Sequence, residues 1–154
     1  YFKTEILQDT IGTQIGGAIK NVITIAAGII QGSCSSQNTT AFLLSHGLDE
    51  MSKISICLGG EKESIYTISG LGDLILTATG TLSRNLKAGK LLGQGKTLDE
   101  LKSIFKTLPE GINTVTSIYH LIQKCHLDLP ICLGTYQVLF QSKSVQDFLD
   151  QIFA

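Results

Sequence analysis

Lys20, Asp73 and the tripeptide Ser83–Asn85 are the residues of this chain whose types and settings best suit chemistry. Lys20 is the only charged residue between Asp9 and Asp49, and it interrupts the apolar, small-residue stretch GGAIKNVITIAAGII. Because burial disfavours the charged form of a lysine, a lysine in such a setting is a candidate for proton transfer. The alternative is a lysine that packs its stem along a helix and keeps its amine in water. Composition alone leaves both interpretations open.

Asp73 lies between glycines and an apolar run in the segment SGLGDLILTATGTLSRN, residues 69–85. This setting predicts that its carboxylate lies inside the protein, where it requires a cationic partner. Lys20 is the cation that this charge-poor sequence offers. The pair would orient a catalytic lysine, or it would be an ion pair that only holds two helices together.

Ser83, Arg84 and Asn85 follow a glycine-containing turn at the predicted start of a helix. A guanidinium group, an amide and the free N–H groups of a helix N-terminus are the components of an anion site, especially for phosphate. The same tripeptide is also typical of a capped helix start that faces solvent. The motif alone does not decide between these two interpretations.

These residues need elements to position them, and the apolar pattern predicts helices almost throughout. Only residues 1–8, YFKTEILQ, show the alternation of a strand. Thr97 and Glu100 form a capping box, and Ser83 is a candidate N-cap. The first helix, Gln14–Gln31, is predicted at the centre of the domain, where its small residues would let neighbours approach: Gly16, Gly17, Ala18, Ala26, Ala27 and Gly28. Further helices are expected over residues 38–57, 83–92, 111–125, 130–141 and 144–153, with another beginning at residue 97. Residues 71–79 are predicted as a buried helix or as a turn followed by a helix.

The composition limits the classes of function. The chain of 154 residues fits one domain, and its charged share of 16% lies below the roughly 25% usual for soluble domains. We therefore expect another domain or a partner to cover part of the surface. The net charge of −1 does not favour nucleic acid or an anionic membrane as a partner. Lys20 and Asn21 interrupt the apolar run, so no membrane span is predicted. Since Tyr1 stands where a Met would start a protein, we expect a piece of a longer chain.

Other motifs are weaker. No GxGxxG follows a strand, so these residues hold no dinucleotide-binding fold. The segment GQGKT, residues 93–97, lacks the first glycine of a phosphate loop, where Lys90 stands. A zinc site would need ligands at closer spacing than the cluster of His and Cys near residues 120–132, so no metal is expected. The cysteines are predicted to be reduced thiols: Cys34, Cys57, Cys125 and Cys132.

Three segments taken together resemble one family: GGAIKNVITIAAGI, SGLGDLILTATGTLSRN and LPEGINTVTSIY. They are similar, in order, to signatures of the bacterial-type NAD(P)-dependent glycerol-3-phosphate dehydrogenases. The family has an N-terminal Rossmann domain and a C-terminal all-helical domain, and this chain looks like the second. The resemblance implies an all-α fold like the C-terminal domain of 6-phosphogluconate dehydrogenase. Residues 1–10 would be the junction from the missing domain, and residues 11–154 the helical substrate-binding domain.

The resemblance also assigns roles to residues. It places the catalytic lysine at Lys20, oriented by Asp73, and Thr77 one helical turn further on as a supporting hydroxyl. Substrate contacts are implied at Lys20, Asp73, Thr77, Ser83, Arg84 and Asn85, and cofactor contacts at Arg84, Leu108 and Glu110. Three positions depart from the family's usual pattern without being catalytic positions: Gln14, Gln37 and His46.

The implied reaction interconverts dihydroxyacetone phosphate and sn-glycerol 3-phosphate for glycerophospholipid synthesis in the cytoplasm. Lys20 would give the proton to the developing alkoxide, while Arg84 and Asn85 hold the phosphate. NAD or NADP would be bound mainly by the missing N-terminal Rossmann domain, so the preference between the two stays open. Whether the protein forms a homodimer stays open as well.

Two alternatives remain. A non-catalytic helical protein-interaction module would pair Lys20 with Asp73 inside the domain, without a cleft beside them. A helical domain from another β-hydroxyacid-type dehydrogenase would act on a different substrate, although the Ser83–Asn85 motif favours a phosphate.

Overall fold

The computed structural model describes residue 4, residues 6–33 and residues 37–153. None of these residues lies in a strand, and the all-α class is confirmed. The predicted strand falls largely outside the described residues, and Thr4 and residues 6–8 are irregular. The helices are α1 (Thr10–Ser33), α2 (Gln37–Cys57), α3 (Lys62–Ile65), α4 (Asp73–Thr79), α5 (Arg84–Gly93), α6 (Leu98–Ile104), α7 (Glu110–Cys125), α8 (Pro130–Phe140) and α9 (Val145–Phe153), with a π-helical turn at Ile68–Gly72 before α4.

Helix α1 is the central element, and every residue from Val22 to Ile30 is buried. A helix that is buried on all sides is a core helix, and α1 contacts most of the other elements. It begins earlier than the predicted Gln14, because the Asp9 carboxylate accepts a hydrogen bond from Gly12 N at 2.9 Å and so caps its first turn. Among the described residues, α1 alone is long and apolar enough to cross a membrane, but 61% of its apolar window is buried inside the domain.

Helices α1 and α5 cross with their backbones in direct contact, through Gly28 and Gly32 on α1 and Gly89 and Gly93 on α5. A Cβ atom added to Gly89 would lie 2.1 Å from a carbonyl oxygen of α1, and one added to Gly93 would lie 2.2 Å from another. The close approach predicted at Gly28 is confirmed. The same prediction is wrong for Gly17, which has no atom within 4 Å of such a Cβ.

The start of α4 is irregular. Residues 71–79, predicted as a helix or as a turn followed by a helix, are the end of the π-helical turn and α4, so the second form of the prediction is confirmed. Gly70 within this turn packs closely against α1, since a Cβ added to Gly16 would lie 3.3 Å from Gly70 Cα. Short π-helical turns occur frequently at functional sites. Here the turn makes Asp73 the first residue of α4, facing α1.

The predicted capping residues are in place. Ser83 Oγ accepts a hydrogen bond from Leu86 N at 3.2 Å and caps α5. Thr97 and Glu100 form the predicted capping box: Thr97 N donates to the Glu100 carboxylate at 2.8 Å, and Glu100 N donates to Thr97 Oγ1 at 3.3 Å. These caps fix where α5 and α6 begin.

Helix α8 is capped from a distant part of the chain. Glu50 on α2 is 3% exposed, and its carboxylate accepts hydrogen bonds from Ile131 N at 2.6 Å and Cys132 N at 2.9 Å. Burial raises the pKa of Glu50, and the two backbone hydrogen bonds oppose that shift. The carboxylate therefore ties α2 to the first turn of α8.

Candidate active site

The Lys20 ammonium group on α1 donates a hydrogen bond to the Asp73 carboxylate on α4. The exposed fraction is 20% for the Lys20 side chain and 34% for the Asp73 side chain, so the pair is half-buried. The prediction that the Asp73 carboxylate lies inside the protein is therefore only partly correct. Thr77 Oγ1 donates to the Asp73 backbone carbonyl at 2.6 Å and to its carboxylate at 3.2 Å. The carboxylate is thus held from two sides, and the ammonium group remains accessible from solvent.

Asn21, which follows Lys20, links α1 to the start of α5. Asn85 Nδ2 donates to Asn21 Oδ1 at 2.9 Å, and Asn85 Oδ1 accepts from Gly111 N at 3.1 Å. Gly111 has no room for a side chain, because an added Cβ would lie 2.6 Å from Asn85 Oδ1. The amide of Asn85 therefore joins α1, α5 and α7 at one point. Sequence reasoning missed Asn21; its signal was a second polar residue, beside Lys20, in an apolar helix.

A surface cavity of about 290 Å³ opens where the N-termini of α5 and α7 converge. The positive ends of two helix dipoles and the guanidinium group of Arg84 favour an anion there. Lys20 and Asp73 do not line the cavity themselves, but Thr77 and Asn85 do, and these residues contact Asp73 and Asn21 directly. The cavity is lined by Thr77, Leu82, Ser83, Arg84, Asn85, Pro109 and Glu110.

Arg84 is exposed, and its guanidinium group donates to the Thr107 carbonyl and lies 6.0 Å from the centre of the Phe105 ring. These contacts hold it beside the loop that leads into α7. The two other predicted cofactor contacts lie in different places. Glu110 lines the cavity, whereas Leu108 packs against the hydrophobic core and does not line the cavity.

No group of three or more His, Cys, Asp or Glu side chains among the described residues is placed to hold a metal ion. The site therefore consists of one ammonium–carboxylate pair, a bridging amide network and an anion-favouring cavity. This arrangement can move a proton at Lys20 while a phosphate is held some distance away.

The fold is that of the helical part of solved glycerol-3-phosphate dehydrogenases. The structure of glycerol-3-phosphate dehydrogenase from Coxiella burnetii matches with a TM-score of 0.91 and 31% identity, covering 96% of this chain and 45% of that one. The enzyme structure from Saccharomyces cerevisiae matches with a TM-score of 0.90 and 25% identity, covering 100% and 45% respectively.

Sequence comparison gives the family. The glycerol-3-phosphate dehydrogenase (NAD(P)+) of Citrifermentans bemidjiense is 42% identical over 147 residues, which is 96% of this chain and 44% of that protein. The corresponding protein of Oleidesulfovibrio alaskensis is 38% identical over 153 residues, 99% of this chain and 46% of that protein. The profile of the NAD-dependent glycerol-3-phosphate dehydrogenase C-terminus matches residues 9–150, and the chain belongs to this family. It spans less than half the length of these relatives.

Proposed function

We propose that this chain is the substrate-binding, catalytic-lysine domain of a cytoplasmic glycerol-3-phosphate dehydrogenase. The enzyme interconverts dihydroxyacetone phosphate and sn-glycerol 3-phosphate with NAD or NADP, as a source of glycerophospholipid precursors. The observation that carries the proposal is the contact between Lys20 and Asp73 beside a cavity lined by Arg84 and Asn85. The interaction-module alternative predicts the same ion pair without a cleft beside it. Thr77, which hydrogen-bonds Asp73, lines the cavity, and this argues against that alternative.

When bound, the nicotinamide cofactor would supply or take the hydride. Lys20 donates a proton to the oxygen that develops negative charge at C2 of the substrate, and takes it back in the reverse direction. Asp73 keeps the ammonium group in place and accepts a hydrogen bond from a substrate hydroxyl. Thr77 orients the Asp73 carboxylate, with which it already shares a 3.2 Å hydrogen bond.

Arg84 and Asn85 hold the phosphate at the N-terminus of α5. The guanidinium group supplies a charge-assisted hydrogen bond, and the helix dipole adds a favourable potential. Ser83 already caps α5 and lines the same cavity. Glu110 carries a negative charge at the rim of the cavity, so it suits a hydroxyl group of the cofactor better than the phosphate. Arg84 contacts Thr107 in the loop before Glu110 and so lies near the same part of the cofactor.

The rest of the enzyme is a dinucleotide-binding domain that precedes this chain, with residues 1–10 as the junction. The relatives are more than twice as long as the matched region, which leaves room for such a domain. Four large apolar side chains near Asp73 and the cavity are exposed. We assign them, with part of the charge-poor surface around them, to the contact with the dinucleotide-binding domain. Their exposed fractions are 63% for Ile68, 47% for Ile75, 71% for Leu76 and 95% for Leu82.

The test is steady-state kinetics of the protein joined to its dinucleotide-binding domain. Lys20→Ala is expected to lower kcat by roughly 10²–10⁴-fold, the usual contribution of general acid–base catalysis. Lys102→Ala is the control, because Lys102 forms an exposed ion pair with Asp99 on α6, and it should leave kcat unchanged. A near-normal kcat of Lys20→Ala at saturating substrate would remove Lys20 from the chemistry.

A further inference from the structure

A fully buried threonine near Lys20 has an unpaired hydroxyl group. Thr24 lies one turn after Lys20 on α1 and is 0% exposed, and its Oγ1 atom has no hydrogen-bond partner among the residues that the structure describes. A buried hydroxyl that is left unpaired carries the cost of its removal from water, so such groups are rare in folded proteins. Thr24 therefore needs a partner other than the described side chains and backbone groups.

Other helical threonines of this chain show the usual way of pairing such a hydroxyl. Five of them donate to the carbonyl four residues earlier, at 2.6–3.2 Å: Thr13, Thr77, Thr79, Thr114 and Thr135. Thr135 is as fully buried as Thr24, and it donates to Ile131 O at 2.7 Å. The equivalent acceptor for Thr24 is the Lys20 carbonyl, and the two groups are not hydrogen-bonded. The Thr24 hydroxyl is thus available to a group outside its own helix.

Thr24 occupies the place on α1 where α4 and α5 meet. Residues four positions apart form a row along one side of a helix. In this row Lys20 contacts Asp73 at the start of α4, and a Cβ added to Gly28 would lie 2.5 Å from Leu86 O in α5. Thr24 lies between Lys20 and Gly28, so its side chain lies where the cover over α1 passes from α4 to α5.

The same side of α1 is open two turns earlier. Gly17 lies seven residues before Thr24, about 10 Å along the helix axis. No atom of the described residues lies within 4 Å of a Cβ added to Gly17. Lys20 lies between the two, and its side chain is 20% exposed. The side that is open at Gly17 is therefore closed at Thr24, and the Thr24 hydroxyl lies at the inner end of the cleft that holds Lys20.

The Lys20 ammonium group has a hydrogen-bond donor left for a ligand at this inner end. It carries three N–H groups, of which one donates to Asp73 and another is directed at the substrate oxygen in the proposed reaction. Side chains four residues apart on a helix are neighbours, with roughly 5–6 Å between their Cβ atoms. Because Thr24 is fully buried, a ligand between the two groups must be very small, and it must accept a hydrogen bond from the ammonium group. Water meets both conditions.

We propose that Thr24 is a positioning residue for Lys20, acting through one water molecule bound between α1, α4 and α5; this inference rests on the proposed function. The water accepts hydrogen bonds from Lys20 Nζ and Thr24 Oγ1, and it donates one to Thr77 Oγ1, whose own hydrogen is used on Asp73. About three hydrogen bonds are usual for a buried water. The water keeps the ammonium group from rotating, so the N–H that protonates the substrate keeps its direction.

The kinetic test uses the protein joined to its dinucleotide-binding domain. Thr24→Val keeps the shape of the side chain and removes the hydroxyl. Its kcat should fall roughly fivefold, the effect of losing one ordinary hydrogen bond, while KM for glycerol 3-phosphate stays unchanged. Thr24→Ser keeps the hydroxyl and should restore most of kcat. Thr135→Val is the matched control, because it removes a buried hydroxyl from α8, outside the candidate active site, and should leave kcat unchanged.

A wild-type kcat in Thr24→Val, or equal losses of kcat in Thr24→Val and Thr24→Ser, would overturn the inference. Lys20→Ala in the same assay separates this failure from that of the proposed function: if Lys20→Ala loses kcat and Thr24→Val does not, only the role of Thr24 is wrong. Thermal unfolding gives another readout. Valine would recover the stability that an unpaired hydroxyl costs, so a Tm of Thr24→Val above that of wild type would show that Thr24 has no partner.

A crystal structure of the wild-type protein tests the water directly and does not depend on how well a variant folds. We expect one ordered water at about 2.7–3.2 Å from both Thr24 Oγ1 and Lys20 Nζ. A Thr24 hydroxyl that instead donates to the Lys20 carbonyl, as Thr135 does to Ile131, would overturn the inference.

Discussion

Replacing Gly89 by Ala tests whether the backbone contact between α1 and α5 holds the candidate active site together. The added Cβ would lie 2.1 Å from Ile25 O and 2.8 Å from Gly28 Cα. Both are backbone atoms of the core helix and cannot rotate away. The helices must separate by roughly 1 Å or more to restore ordinary van der Waals contact.

The cost follows from this overlap. Overpacking of a well-packed interior costs about 1–3 kcal/mol, and an overlap with backbone belongs at the upper end of that range. Alanine offsets about 1 kcal/mol through its higher helix propensity, which leaves a net loss of about 2 kcal/mol. Because α5 begins with Arg84 and Asn85, its displacement should also weaken the 2.9 Å hydrogen bond between Asn85 and Asn21.

Gly17→Ala is the matched control, because it makes the same substitution in a helix with no atom within 4 Å of the new Cβ. It should stabilise the domain by about 0.5–1 kcal/mol through helix propensity alone. The assay is urea unfolding followed by circular dichroism, with the free energy of unfolding extrapolated to water. If Gly89→Ala is as stable as the wild type, the backbone contact between α1 and α5 does not exist as described.

Two further predictions concern helix capping. Glu50→Gln replaces one of the two oxygens that accept from Ile131 N and Cys132 N, so we expect a loss of about 1–3 kcal/mol in the free energy of unfolding. The pKa of Glu50 in the folded state is raised above 4.5, so folding favours the protonated carboxyl. The difference in free energy of unfolding between wild type and Glu50→Gln should therefore narrow as the pH rises from 4.5 through the folded pKa. A difference that widens with pH in urea unfolding would refute this prediction. Ser83→Ala removes the side chain that accepts from Leu86 N and should cost about 1 kcal/mol, whereas an unchanged Tm would show that this cap contributes nothing.

Local features of the sequence predicted much of the fold. The Thr97–Glu100 capping box and the Ser83 cap each depend on residues three positions apart, so the sequence shows them directly. The partner of Lys20 was also predictable, because a charge-poor region leaves a half-buried carboxylate few cations to choose from. Asp73 was placed correctly opposite Lys20, although its exposure was underestimated.

Contacts between distant segments could not be predicted in the same way. Glu50 caps α8 across 81 positions of sequence, and nothing near Glu50 indicates which helix it will reach. The close contact that Gly89 and Gly93 make with α1 could not be predicted, because it depends on which helix crosses α5. The bridge between Asn21 and Asn85 likewise exists only because that crossing sets α5 in one register against α1.

The central claim is that the cavity at the start of α5 and α7 binds the phosphate of the substrate beside Lys20. The most direct measurement is an NMR titration of the chain with glycerol 3-phosphate, in wild type and in Arg84→Ala, with glycerol as the control ligand. In wild type we expect saturable shifts of the amides of Thr77, Arg84, Asn85 and Glu110, and none with glycerol. Arg84→Ala should weaken binding by roughly tenfold or more, because it removes a charge-assisted hydrogen bond. Equal, saturable shifts in both proteins would show that the phosphate binds elsewhere and would contradict the account.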